Sequence, residues 1–243
     1  MVTRNGARAA IVGGTSGIGL ATARRLAADG YDVVIGGRSR ERLDGALAGL
    51  AGTVSGAAVD ATSKDSLSAF FARAGALDHL VVSVAPHGGV AAIRDVTAQA
   101  LREGLDGKLV ADVLTVQSAL DTLAEDGSIT LVGAITARIA MPQTALLAAV
   151  NAGVGALARV LAAELRPRRV NAVHPGVIET PWWDWVPEEQ REATVAAAAA
   201  GAPLQRPGTA DDVARAIAYL IASDYTTGVA LPIDGGASLG AAD

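Results

Sequence analysis

The 243-residue chain has no cysteine, only two lysines, three tyrosines and two phenylalanines, and aromatics make up 3% of it. Without cysteine there is no disulfide, thiolate metal site or cysteine nucleophile, and no His/Asp/Glu grouping has metal-ligand spacing, so no metal is expected. Lys and Arg together number 20 against 25 Asp and Glu, and no basic run exceeds two residues. That balance argues against a nucleic-acid partner. The stretch Met1-Val2-Thr3-Arg4-Asn5-Gly6 lacks the apolar centre of a secretion signal, and the first apolar run is Ala9–Val12. The most apolar segment, 145–165, is interrupted by Asn151, Arg159 and Glu164, so no membrane span is expected. What the chain does have is 51% hydrophobic residues with a net charge of only −5, the opposite of a disordered composition. The expectation is a cytoplasmic protein of one domain, residues 1–243, because no linker, repeat or low-complexity tract divides it.

Short β-branched runs alternate with longer Ala/Leu-rich segments. The runs are Ala9–Val12, Asp32–Ile35, Thr53–Val59, Leu77–Val84, Ser128–Val132, Val170–Val173 and Val229–Ile233. They are apolar throughout rather than on alternate residues, as strands covered on both faces must be. Helical periodicity lies near 17–29, 40–50, 64–74, 97–124, 143–166 and 209–222. The alternation predicts an α/β chain with a Rossmann-type, doubly wound parallel sheet of about seven strands and helices on both faces.

The first strand runs into Gly13-Gly14-Thr15-Ser16-Gly17-Ile18-Gly19 and then a helix. Glycines allow a tight turn and a close backbone approach, and a helix N-terminus favours a pyrophosphate. A glycine cluster by itself is a common turn device; strand before it and helix after it make it a dinucleotide signal. Its Gly-x3-Gly-x-Gly spacing resembles the motif of the short-chain dehydrogenase/reductase family. So do Asp60-Ala61-Thr62, the run Arg169 to Pro181 with its Pro175-Gly176 turn, and the ending from Pro207-Gly208-Thr209 to Ile233-Asp234-Gly235-Gly236. The resemblance spans roughly residues 7 to 239. It implies that Gly13, Thr15, Ser16, Gly17, Ile18 and Gly19 hold the pyrophosphate and Asp60 with Ala61 the adenine. It also implies that Pro175, Gly176, Ile178 and Thr180 bind the cofactor, Thr180 on its nicotinamide or phosphate side. The second strand ends in Gly36-Gly37-Arg38-Ser39 without the acid that would bind NAD ribose hydroxyls. An arginine there is ordinarily a solvated helix opener, but its place relative to the glycine loop favours a 2′-phosphate. Arg38 and Ser39 therefore point to NADP(H) over NAD(H).

The family's reductases use Tyr-x3-Lys on the long fifth helix, a serine before it and an asparagine on the fourth helix. Alignment from the helix end puts Leu147 at the tyrosine, Asn151 at the lysine, Ala134 at the serine and Lys108 at the asparagine position. No shift of register restores the pattern, since the tyrosines are Tyr31, Tyr219 and Tyr225 and the lysines Lys64 and Lys108. Lysine and asparagine look exchanged, so Lys108 and Asn151 are candidate catalytic residues and Asn151 a candidate ribose ligand. The plainer readings are a surface ion pair of Lys108 with Asp112 and a packed Asn151. His87, after the fourth strand, is the candidate proton donor, although a loop histidine is more often merely exposed. Thr136 and Gln143 flank the lost positions and could orient a substrate; His79 and His174 read as structural.

Trp182, Trp183 and Trp185 are all the tryptophans, and they fall in a segment, about 180–205, that in the family is the substrate lid. They suggest an apolar or flat small-molecule substrate, with Asp184 attracting a cation, or else lid packing. A neutral ketone needs its alkoxide stabilised, the task of the missing serine and tyrosine. An iminium or a conjugated C=C needs this less. The leading expectation is thus an NADP(H)-dependent oxidoreductase acting on a pre-activated acceptor or an unusual carbonyl. The alternatives are an inactive NADP(H)-binding sensor or partner subunit, and a non-redox isomerisation or elimination. Broad apolar faces on 97–124 and 143–166 fit a homodimer or homotetramer.

Overall fold

The computed structural model describes residues 6–85 and 88–239. Seven parallel strands form one sheet: β1 (Arg8–Val12), β2 (Asp32–Gly37), β3 (Val54–Ala58), β4 (Leu77–Val82), β5 (Leu123–Val132), β6 (Arg169–Pro175) and, last along the chain, β9 (Ala230–Ile233). Their order is β3-β2-β1-β4-β5-β6-β9. The chain winds outward in one direction from β1 and then in the other from β4, so the winding reverses between β1 and β4. A crevice opens there at the strands' C-terminal ends. Two further strands, β7 (Ile178–Glu179) and β8 (Gly208–Thr209), pair only with each other.

The helices are α1 (Gly17–Ala28), α2 (Arg40–Ala48), α3 (Lys64–Ala74), α4 (Ala98–Leu105), α5 (Ala111–Ala119), α6 (Ala145–Glu164), α7 (Glu188–Ala199) and α8 (Ala210–Ala222). Alternate strand residues feed two cores. Ala10, Val12, Leu80 and Leu131 pack with Phe70, Phe71 and Val154 of α3 and α6. Ala9, Ile11, Ile35 and Val173 pack with Leu26 of α1 and Ile217 of α8 on the other face. Each large aliphatic side chain so buried contributes about 1.5–3 kcal/mol. Residues between the helices and strands close their ends. Ser39, Ser63 and Thr97 accept an amide hydrogen at the N-termini of α2, α3 and α4, and Thr209 with Asp212 forms a reciprocal cap on α8.

Two expected boundaries are corrected. The helix expected over 97–124 is α4 and α5 joined by a wide π turn, Asp106–Val110, and it stops at Ala119. Strand β5 already begins at Leu123, because Leu77 pairs with Leu123 before the register shifts at His79. A separate 12-residue helix, α7, ends in an alanine-rich turn at Ala199. Helix α6 is long and apolar enough to span a membrane on composition alone, but Leu146, Leu147, Val150, Val154 and Ala158 are buried inside the protein.

Arg168 and Arg169 stitch the sheet to its helices. The Arg168 guanidinium donates to the carbonyls of Leu120, Leu123 and Ala124, and Arg169 donates to those of Leu220 and Ile221 at the end of α8. Replacing Arg168 by leucine strands three carbonyls that a cation now satisfies. We expect Arg168→Leu to lower the unfolding free energy by about 2–3 kcal/mol in urea denaturation. The exposed Arg24→Leu control should stay within about 0.5 kcal/mol.

Candidate active site

The crevice begins at the turn between β1 and α1. The amides of Gly13 and Gly14 both donate to Gly36 O, at 2.8 and 3.0 Å, while Ser83 N donates to Val12 O. The turn is thus pinned to the ends of β2 and β4 together. It has no room for side chains, since a Cβ on Gly13 would stand 2.4 Å from Ser83 O and one on Gly19 only 2.1 Å from Gly13 O. Gly17 adopts φ +51, and a Cβ there would lie 3.4 Å from Thr180 across the crevice. Ser16 caps α1 by position, yet its side chain makes no capping bond. The first amides of a 12-residue helix therefore face the crevice without a side-chain acceptor, which is the arrangement an anion needs. On this geometry a dinucleotide pyrophosphate fits.

Arg38 is exposed just beyond β2, and its charge helps hold the Asp60 carboxyl below its ordinary range. The larger cause for Asp60 is Thr62, whose amide and hydroxyl both donate to Oδ1. Ser39 accepts from Arg42 N in capping α2. Ala61 is buried beside Asp60. Across the crevice, Gly176 N donates to Ile233 O and a Cβ on Gly176 would stand 2.8 Å from Asp234 Cα, so Pro175-Gly176 is locked on β9. Ile178 is buried in β7, and Thr180 follows it.

The residues that the sequence alignment set at the relay positions, Ala134, Leu147 and Asn151, lie beyond the end of β5 and on the first turns of α6. Ala134 follows the strand in extended conformation. Leu147 is buried and packs on Gly89, where a Cβ would meet Leu147 Cδ2 at 2.9 Å. Asn151 is buried one turn further on. Its amide nitrogen donates to Leu147 O at 2.9 Å and to Thr136 Oγ1 at 3.1 Å. Both amide hydrogens are used, so the oxygen is what Asn151 can offer a ribose.

Lys108 and Asp112 do form a pair, and it is buried rather than on the surface. The ammonium lies 3.2 Å from Asp112 Oδ2 and donates to Val84 O at 2.9 Å and to Asp112 Oδ1 at 3.3 Å. Burial pushes the Asp112 carboxyl up to about 6, against the pull of Lys108. The π turn that carries Lys108 sets this reach toward the end of β4. No hydrogen bond joins Lys108 to Asn151 among the described residues, and His87 lies outside them.

His174, read from the sequence as structural, occupies a slot directly beneath these positions. A Cβ on Gly133 would stand 2.8 Å from its Cδ2, and one on Gly155 3.2 Å from its Cε1. Neither ring nitrogen has a hydrogen-bond partner among the described residues. Burial first, then the nearby charges of Arg138 and Lys108, push its pKa down to about 4. His79 bonds Ser128 Oγ through Nδ1 at 2.9 Å and meets the Tyr31 ring edge-on, within the sheet.

The three tryptophans follow Thr180 in a 3-10 turn, Pro181–Trp185. Trp182 stands edge-on to Trp183 and Trp185, whose rings stack with centroids 6.0 Å apart. Trp183 is tied to the body by its indole N–H donating to Ile178 O, whereas Trp185 is exposed. Asp184 pairs with Arg191 at 3.3 Å, with both side chains partly exposed. No grouping of side chains suited to a metal occurs among the described residues.

A family model described as enoyl-(acyl carrier protein) reductase matches residues 12–238. Short-chain dehydrogenase/reductase ATR9 of Stachybotrys chlorohalonatus is 33% identical over 255 residues, covering 98% of this chain and 100% of that protein. A small-chain dehydrogenase solved in complex with NADPH superposes with a TM-score of 0.83 at 29% identity, over 96% of this chain and 99% of that one. The MalC reductase/Diels-Alderase of Malbranchea aurantiaca superposes with a TM-score of 0.89 at 26% identity, over 97% of each chain.

The slot around His174 yields a pH test. A histidine whose folded pKa is depressed from 6.5 to about 4 is neutral in the folded protein while the unfolded chain takes up a proton. Its share of stability is present above pH 6.5 and lost as pH falls through about 4. The raised pKa of Asp112 acts with the opposite sign, favouring the folded state at low pH and losing that share as pH rises through about 6. Subtracting the unfolding free energy of His174→Asn from that of the parent isolates the histidine. The difference should be level above pH 6.5 and fall by about 3 kcal/mol toward pH 4. A level difference throughout would refute a neutral buried ring.

Proposed function

The chain belongs to the short-chain dehydrogenase/reductase family as an oxidoreductase of that type, and from this premise we propose NADP(H) as its preferred cofactor and an already activated small molecule as its acceptor. The acceptor is an iminium, a conjugated C=C or an unusual carbonyl. The observation that carries the cofactor reading is the open N-terminus of α1 at the sheet's switch point with Arg38 beyond β2. A planar cation there suits a 2′-phosphate, and the absence of an acid removes the repulsion an NAD-selective site would exert. The residues assigned to the dinucleotide are Gly13, Thr15, Ser16, Gly17, Ile18 and Gly19 for the pyrophosphate, Arg38 and Ser39 for the 2′-phosphate, and Asp60 and Ala61 for adenine. Asn151 would accept from the nicotinamide ribose, and Pro175, Gly176, Ile178 and Thr180 would border the ring. When bound in reduced form, the cofactor supplies a hydride.

Leu147 and Ala134 support the acceptor reading. Neither can protonate or bond a developing alkoxide, and Lys108 is held by Val84 O and Asp112. An acceptor that is already cationic, or that spreads charge through conjugation, needs least from these positions. Trp182, Trp183 and Trp185 would close over its flat face, with residues 180–205 as the lid on a single dinucleotide-binding unit. The NADPH-complexed relative is consistent with the cofactor, and the reductase/Diels-Alderase shows that a relative's name is not confined to carbonyl reduction. The exposed Leu101, Val113 and Val160 on α4, α5 and α6 support a homodimer or homotetramer. The same apolar Leu147 also favours a second reading, an NADP(H)-binding protein that no longer turns over.

Fluorescence titration of the purified protein with NADPH and with NADH tests the cofactor reading. NADPH should bind about 10–100 times more tightly, the worth of one charge-assisted contact to the 2′-phosphate. Arg38→Asp should erase or reverse that ratio. Equal affinities in the parent protein would overturn the NADP(H) assignment, and binding of neither would overturn the dinucleotide site.

A further inference from the structure

At the end of β5 the chain has lost a hydroxyl at Ala134 and carries one two residues further on, at Thr136. Thr136 lies in the 3-10 turn Ile135–Ala137, partly exposed, where the turn packs on α6. Its Oγ accepts the Asn151 amide at 3.1 Å. The same amide nitrogen donates to Leu147 O at 2.9 Å, which fixes which end of the Asn151 side chain faces Thr136. The hydroxyl hydrogen of Thr136 has no acceptor among the described residues. A hydroxyl that accepts from an amide is polarised to donate more strongly, and here its hydrogen is free to do so. Asn151 thus holds the Thr136 hydroxyl from its oxygen side.

We propose that Thr136, held by Asn151, is the hydrogen-bond donor of an oxyanion site in this pocket, and that the site takes the oxygen of a conjugated enolate or phenolate. The inference rests on reading the crevice as a reductive site. It names the substrate class as a carbonyl conjugated to C=C. In that class the electron pair of the C=C bond moves onto the carbonyl oxygen as hydride adds at the far carbon. The α-carbon later takes its proton from water, leaving the saturated carbonyl and an oxidised nicotinamide. Thr136 keeps its own hydrogen throughout. An aliphatic hydroxyl is too weak an acid to give up a proton, so it serves a delocalised oxyanion and not an isolated alkoxide. The Lys108 ammonium is tied to Val84 O and Asp112 and is not the donor.

The test uses 4-nitrophenol as an inert probe, followed by the absorbance of its phenolate with and without saturating NADP+. With the parent protein, bound probe should ionise about one pH unit below free probe, equivalent to about tenfold tighter binding of the phenolate. Thr136→Val, which keeps the shape and removes the hydroxyl, should abolish the shift, and Thr136→Ser should retain it. Any of three results would overturn the proposal. They are no shift in the parent, an unchanged shift in Thr136→Val, or loss of the shift in Thr136→Ser as well. NADPH fluorescence titration of the same samples keeps the two readings apart. A normal phenolate shift without dinucleotide binding would remove the cofactor assignment and leave the oxyanion site standing, and the converse result would do the opposite.

Discussion

The turn between β1 and α1 is the tightest constraint in the molecule. Two consecutive amides share one carbonyl, Gly36 O, and the next strand bonds the same turn through Ser83. A turn held by both neighbours of β1 cannot move without parting the sheet at its middle. The glycines at 13 and 19 are accordingly required by the chain's own backbone before any ligand is considered. That packing also brings the first amides of α1 to the opening between β1 and β4 and sets them opposite Thr180. Fold and dinucleotide site are in this sense one feature, since the contacts that stabilise the sheet's centre are those that expose the helix end.

A second constraint governs the far wall of the crevice. Lys108 and Asp112 are buried together, and such a pair gains little net stability because desolvation of two charges offsets their attraction. Its consequence is positional. The ammonium reaches Val84 O, so the π turn between α4 and α5 is joined to the end of β4. Removing either partner would leave an uncompensated buried charge, which is much worse than never having buried the pair. His174 is packed between Gly133 and Gly155, and a neutral ring there avoids adding another positive charge beside Lys108 and Arg138.

Much of this could be read from the sequence because most of the strands are buried on both faces. Continuous apolar runs located all seven strands of the main sheet to within a few residues, apart from the start of β5, and α3 falls on 64–74 as periodicity predicts. Glycine spacing located the crevice. What was not legible has physical causes. Strand β5 begins at Leu123 inside an apparently helical stretch because its first pairing, Leu77 with Leu123, precedes a register shift that no local pattern encodes. The strands β7 and β8 are two residues each and exist only because the chain after residue 179 returns at 208 beside its starting point. Lys108 and Asp112 are four residues apart, which on a surface helix means a solvated pair; burial by the π turn and β4 is a tertiary effect. Thr136 was visible as a flanking residue, but its bond to Asn151 depends on how the 3-10 turn meets α6, and sequence spacing does not carry that.

On the proposal above, a threonine rather than a tyrosine as hydroxyl donor changes what the pocket can do. A phenol has an ordinary pKa near 10 and, beside a lysine, can hand over its proton at working pH. An aliphatic hydroxyl held by an amide has no such accessible ionisation. It can stabilise negative charge that remains on the substrate, and the strength of that help depends on the charge being delocalised enough to persist until water delivers a proton elsewhere. On the proposal above, Leu147 is then part of the same logic. Its buried apolar side chain lies against Gly89, and an apolar wall beside the oxygen would make a single hydrogen bond from Thr136 worth more than in an open site. Apolar wall and lone hydroxyl are complementary requirements of one oxyanion site, and restoring tyrosine at position 147 alone would remove the wall without restoring the lysine that makes a phenol useful.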